Sequence, residues 1–182
     1  VLISQPGRES WSASTVRSET TGNISHEMTL GEIQEVIDAH VCAARRVAAG
    51  GMDGVEILGA FGFLPQAFLS PLTNRRTDHY GGALENRMRF LMELLEAVKG
   101  ALGPDFILGV RLPGDEFEPG GLDLAQMKEI CNRVSASGLV DYFNIIAHTN
   151  ITHLGRARHW SPTPTPHGVF VDLAAAIRGV VD

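Results

Sequence analysis

The chain of 182 residues is 44% hydrophobic and 20% charged, the balance of a folded globular domain with room for a sizeable core. A net charge of −6 without any run of lysine or arginine argues against nucleic acid or an anionic membrane as partner. No apolar stretch reaches the roughly 18 residues of a membrane span and no secretory signal pattern opens the chain, so a cytoplasmic protein is expected.

In chain order, Val1-Leu-Ile3 reads as the end of a buried strand stopped by Pro6-Gly7. Residues 8–28, rich in Ser, Thr, Arg and Glu, read as an exposed loop. Thr29 with Glu32 is a capping box, and Leu30, Ile33, Val36, Ile37, Val41, Ala44 and Val47 follow at helical period. Gly50-Gly51 ends that helix. Asp53 to Leu58 predicts a short strand, and a long loop leads from it to a second helix with Leu84, Phe90, Leu91, Leu94, Leu95, Val98 and Leu102 on one face. Phe106 to Leu112 is a nearly continuous apolar run, as expected of a strand covered on both faces. Asp123 with Gln126 caps a third helix, Leu139 to Ala147 is another strand, and Val169 to Val181 a last helix.

Strand and helix alternate with no hairpin signal, which predicts parallel βα units. The long, chemically unusual loops follow strands, while helix-to-strand connections are short, the asymmetry of a (β/α)₈ barrel. Neither a G-x-G-x-x-G turn nor a P-loop occurs. The fold class is therefore α/β, a partial (β/α)₈ barrel, with one partial strand and three full ones against the eight of a closed barrel. Cys42 and Cys131 fall inside helices and are expected as reduced, packed thiols. His148, His153, His159 and His167 share a polar segment without carboxylate or cysteine companions, so solvated loop histidines and no metal site are expected.

Phe68-Leu-Ser-Pro-Leu-Thr-Asn-Arg-Arg-Thr-Asp-His-Tyr-Gly-Gly-Ala-Leu-Glu-Asn-Arg-Met-Arg-Phe90 closely resembles the signature loop of the Old Yellow Enzyme family of FMN-dependent NADH:flavin oxidoreductases. The nearest branch is that of the dienoyl-CoA reductases and trimethylamine dehydrogenases. Gly51 to Leu64 resembles the family's fourth barrel strand. The resemblance covers roughly residues 1–182 and implies strands three to six with their helices. Residues 1–182 would then be part of one FMN-binding barrel domain truncated at both ends. It further implies FMN as cofactor, NAD(P)H as an electron donor and a small-molecule substrate: an enone, a dienoyl thioester or an amine. A homo-oligomer or the missing remainder of the barrel is the expected protein partner.

The same resemblance assigns residues. Arg111, in Val110-Arg-Leu112, would contact the FMN ring and stabilise the reduced, negative form; a buried strand arginine is otherwise costly unless paired, and Glu56 is the competing partner. Glu56 itself is read as structural. The family's strand-four hydrogen-bonding and proton-donating positions hold Leu58, Phe61 and Phe63, which can do neither. The catalytic residues are thus unassigned, with His153 the candidate replacement donor. Gln5-Pro-Gly-Arg8 resembles the segment after strand three, where the family's flavin-contacting Gln falls on Leu2 and its His on Gln5. Arg75, Arg76, Thr77, Asp78, Gly81, Gly82, Glu85, Asn86 and Arg87 are expected to be scaffolding. Two functions remain open: an FMN-dependent oxidoreductase, or a catalytically degenerate barrel segment acting as a structural or interaction domain.

Overall fold

The computed structural model describes residues 10–160 and 163–181; Val1–Ile3 and the Gln5–Arg8 segment, with Leu2, lie outside them. Two short strands come first, β1 (Trp11–Ser12) and β2 (His26–Glu27), paired in parallel. They stand in the stretch expected to be an exposed loop, and that expectation fails: Ser10, Ser12, Ala13, Ser14, Ser18 and Ser25 are buried. Small hydroxyls are the reason. Ser25 Oγ donates to Ser14 O and accepts from the Val16 N–H, so a polar composition is buried without orphaned groups.

Helix α1 (Leu30–Ala49) opens at the expected capping box, with Thr29 and Glu32 bonded reciprocally. Strand β3 (Gly54–Leu58) runs into α2 (Leu64–Leu69), a short helix whose residues are all buried. No periodicity could reveal it, because burial on every side leaves no polar face. Then come α3 (Leu84–Leu102), β4 (Ile107–Pro113), α4 (Leu124–Ala136) and β5 (Tyr142–Ile146). The polar segment contains a helix, α5 (His153–His159), where a loop was expected, and α6 (Val171–Arg178) is shorter than its predicted span.

Strands β3, β4 and β5 form one parallel sheet in that order. Together with their helices they make an open part of a (β/α)₈ barrel, as the alternation predicts. Period-two geometry assigns the faces. Ile57, Leu108, Val110 and Leu112 are buried in the core against the helices, which contribute Phe90, Leu91, Leu94, Leu95 and Val98 from α3. Glu56, Leu58, Gly109, Arg111, Tyr142 and Asn144, in register with one another, take the opposite face. No described helix is long and apolar enough to cross a membrane. Cys131 is buried as expected, its thiol pushed up to about 12 by burial. Cys42 is exposed, a correction: it lies off the Ile33, Ile37 and Ala44 stripe of α1.

Two polar centres fix the loops. Arg76, its side chain 5% exposed, donates through Nη1 to Ala13 O (3.0 Å) and Met28 O (2.6 Å), and through Nη2 to Asp78 (2.6 Å). Gly81 lies so close to the Arg76 carbonyl that a Cβ there would collide with it. Arg87 donates to Leu69 O and Gly82 O. These residues are the scaffold the sequence suggests. The second centre, Glu116, was not anticipated. It accepts from Gln66 Nε2 (2.6 Å), Ser70 Oγ (2.6 Å) and the Leu122 N–H (2.7 Å). Burial raises its pKa, and those three donors oppose the rise. Gln66 Oε1 accepts from the Gly62 N–H at 2.7 Å, so the carboxylate reaches the β3–α2 turn through one side chain.

Two outcomes are expected of the full-length protein in denaturant titrations. Arg76→Met strips donors from two buried carbonyls and should cost about 3 kcal/mol. Asp78 is held below its ordinary pKa chiefly by its hydrogen bonds to Arg76. Its contribution is therefore present above the unfolded pKa and lost as pH falls through the folded one, and R76M should flatten that acid limb. Glu116→Gln should cost about 1–3 kcal/mol: Gln66 cannot turn its amide without losing Gly62, so an NH₂ would face a donor. Wild-type stability in R76M, or in E116Q, would refute the corresponding role.

Candidate active site

Parallel register sets three polar side chains side by side on the open face of the sheet. Arg111 pairs in register with Leu58 on one side and Asn144 on the other. Its Nε lies 2.9 Å from Glu56 Oε1, and Asn144 Nδ2 donates to Glu56 Oε2 at 3.0 Å. The expected competitor for Arg111 is therefore in place, and Glu56 has the structural partnership assigned to it. The contact is ionic rather than a directed hydrogen bond, because the buried Nε–H makes no bond of acceptable geometry. Among the described residues no side chain or carbonyl is bonded to the rest of the guanidinium.

Tyr142 completes the strip. Burial, and then the Glu56 carboxylate, raise the pKa of its hydroxyl. Its ring lies directly over Gly109, where any Cβ would overlap it; glycine at 109 is what lets the tyrosine cross towards Glu56. Sequence reasoning missed Tyr142, Asn144 and Gly109. The signal was available: Tyr142 and Asn144 alternate on β5 in the inward phase that Arg111 defines on β4.

At the C-terminal end of β3 the turn carries Phe61 in the left-handed region, φ 58°, followed by Gly62 at φ 76°. Such backbone is uncommon for a bulky residue. Leu58, Phe61 and Phe63 are each half-buried there, and Phe63 precedes α2 as its N-cap residue. Beyond Glu56, the C-terminal end of this strand and its turn bring no acid or base to the mouth at positions 58, 61 and 63. The histidines divide against expectation. His153 is exposed on the first turn of α5, its N–H directed at Glu19, and His167 is exposed too. His148 and His159 are buried, at 7% and 3% exposure, because aromatic rings enclose them. His148 sits at 4.9 Å from Phe117 and His159 at 4.9 Å from Phe61, ring centre to ring centre. Burial lowers both imidazole pKa values, more than any neighbouring charge does.

An anionic planar cofactor fits this face on one observation: the Arg111 guanidinium, ion-paired to Glu56 through Nε, keeps N–H groups without a hydrogen-bond partner among the described residues. Such free donors are favourable beside a delocalised anion. Among the described residues no group of three His, Cys, Asp or Glu is placed to hold a metal ion.

The NADH:flavin oxidoreductase / NADH oxidase family matches residues 5–171. N,N-dimethylglycine/sarcosine dehydrogenase of Chromohalobacter salexigens is 42% identical over 150 residues, 82% of this chain and 22% of that protein. A probable N-methylproline demethylase of Rhizobium meliloti is 51% identical over 115 residues, 63% of this chain and 17% of that protein. Among solved structures, 2-naphthoyl-CoA reductase superposes with TM-score 0.83 at 31% identity, covering 94% of this chain and 26% of its own. Histamine dehydrogenase from Rhizobium sp. 4-9 gives 0.81 at 28% identity, covering 96% and 25%. The chain thus spans between 17% and 26% of the length of these proteins. With a family match running along most of its residues, the chain belongs to the NADH:flavin oxidoreductase / NADH oxidase family.

Proposed function

We propose that residues 1–182 are part of one FMN-binding (β/α)₈ barrel domain of an oxidoreductase that removes hydride from a small N-methylated amine. The observation that carries this reading is the apolar end of β3, with Leu58, Phe61 and Phe63 at its mouth. Reduction of an enone needs a proton delivered to carbon after hydride arrives; oxidation of an amine does not. The similarity to a dimethylglycine/sarcosine dehydrogenase and a probable N-methylproline demethylase supports the same choice.

FMN, when bound, supplies the hydride chemistry, with NAD(P)H the other hydride partner of the class. Arg111 would hold it and offset developing negative charge with its unbonded N–H groups. Glu56, anchored by Asn144, orients the guanidinium and offsets part of its charge. Leu58, Phe61 and Phe63 exclude water from the reacting carbon. A catalytically degenerate segment is the second reading, favoured by the same three side chains.

Anaerobic stopped-flow on the full-length flavoprotein separates these. N,N-dimethylglycine should reduce the flavin while an enone reoxidises it slowly, and Leu58→His, Phe61→His and Phe63→Tyr together should raise enone reduction about 10²-fold. Fast enone turnover with no response to amines would overturn the amine reading. A full-length protein that neither retains flavin nor reacts with either donor would establish the degenerate one. Arg111→Leu should weaken flavin retention or lower the flavin's reduction potential; if both stay unchanged, the residue serves only its ion pair with Glu56.

A further inference from the structure

We propose that His159 takes the ammonium proton of the substrate amine, an acid–base group supplied by the segment after β5 instead of by β3. The inference rests on the amine reading above and names the group that would make such a substrate reactive. His159 is 3% exposed, yet among the described residues neither buried ring nitrogen has a hydrogen-bond partner. The carbonyls of Gly155 and Arg156, in the same helix, lie close enough to favour the charged ring, but neither is bonded to it in acceptable geometry. A buried imidazole with two unsatisfied nitrogens is a rare arrangement in a folded chain, and a polar ligand is one way of completing it.

Position supports chemistry. The His159 ring packs between Phe61 and Trp160, at 4.9 and 4.4 Å between ring centres. Phe61 occupies the end of β3 where an acid–base side chain is missing. Its left-handed backbone is held by the Gln66 bond to Gly62. The histidine therefore touches the residue that replaces the lost group. Burial lowers the imidazole's pKa, the Gly155 carbonyl opposes the fall, and the charge of Arg156 adds to it. His148 bears on it as well, and Arg158 is the other cation of the last turn of α5. A neutral imidazole has one nitrogen free to accept.

The step balances. The N–H bond of the substrate ammonium breaks, its proton forms an N–H bond on His159, and the positive charge passes to the ring. The amine keeps the lone pair. Only that neutral form can lose hydride from an adjacent carbon and become an iminium; FMN, when bound, would be the acceptor.

The test uses the full-length flavoprotein, with N,N-dimethylglycine as reactive probe and trimethylglycine, which has no N–H proton, as competing ligand. In stopped-flow at pH 7, His159→Gln should keep amine affinity within a few-fold but reduce flavin about 10²-fold more slowly. Raising the pH until the amine deprotonates in solution should restore the rate. His159→Phe should weaken dimethylglycine about 10- to 100-fold and leave trimethylglycine unchanged. A rate in H159Q equal to wild type overturns the proposal. So does a loss that high pH does not rescue, or equal weakening of both ligands in both variants, which would assign the ring to packing. If the wild type is not reduced by the amine, the amine reading falls and this inference with it; amine reduction that H159Q leaves untouched sinks this inference alone.

Discussion

The mouth of this sheet depends on one buried carboxylate. Loops at the C-terminal end of parallel strands have no ladder to satisfy their backbone groups, and a mouth must stay open enough to admit a ligand. Glu116 resolves the conflict by collecting donors from α2 and from its own loop. Gln66 extends it to the Gly62 N–H and, at 3.4 Å, to His148 O. Three βα loops are thereby joined through a charge that is costly to bury and far more costly to leave unpaired. Rigidity here comes from a polar knot rather than from apolar packing.

The sheet beneath obeys a simpler rule. Alternate residues of β3, β4 and β5 go to the helices, and the rest form a face that no described helix covers. On that face a cation, an anion and an amide lie in adjacent register. Each is tolerable because the others are there. The guanidinium is only partly neutralised by Glu56, so the strip keeps an unspent donor capacity directed away from the core.

Much of the fold was legible because its main elements are amphipathic. Thr29 with Glu32 and Asp123 with Gln126 marked helix starts that both exist as capping boxes, and the α3 stripe from Phe90 to Val98 is the buried one. What stayed hidden lacked a polar face or depended on distant partners. α2 is buried all round, and the small serines of residues 10–25 are buried in a segment that the distant Arg76 ties down through the carbonyls of Ala13 and Met28. The site divided likewise. Arg111 and Glu56 stood out as charges in apolar strands. His159 did not, because its enclosure is completed by Phe61, on another loop, and the neighbouring Trp160 alone does not forecast a buried ring.

Phe61 has a consequence of its own. A backbone at φ 58° suits asparagine or glycine better than a bulky ring. The turn is not shaped by phenylalanine; it is shaped by Gln66 and Gly62 and accepts phenylalanine at some conformational expense. Position 61 thus behaves as a socket whose wiring is fixed elsewhere. Side chains can be exchanged in it without redrawing the loop, so a change of chemistry at the mouth is open to a single codon.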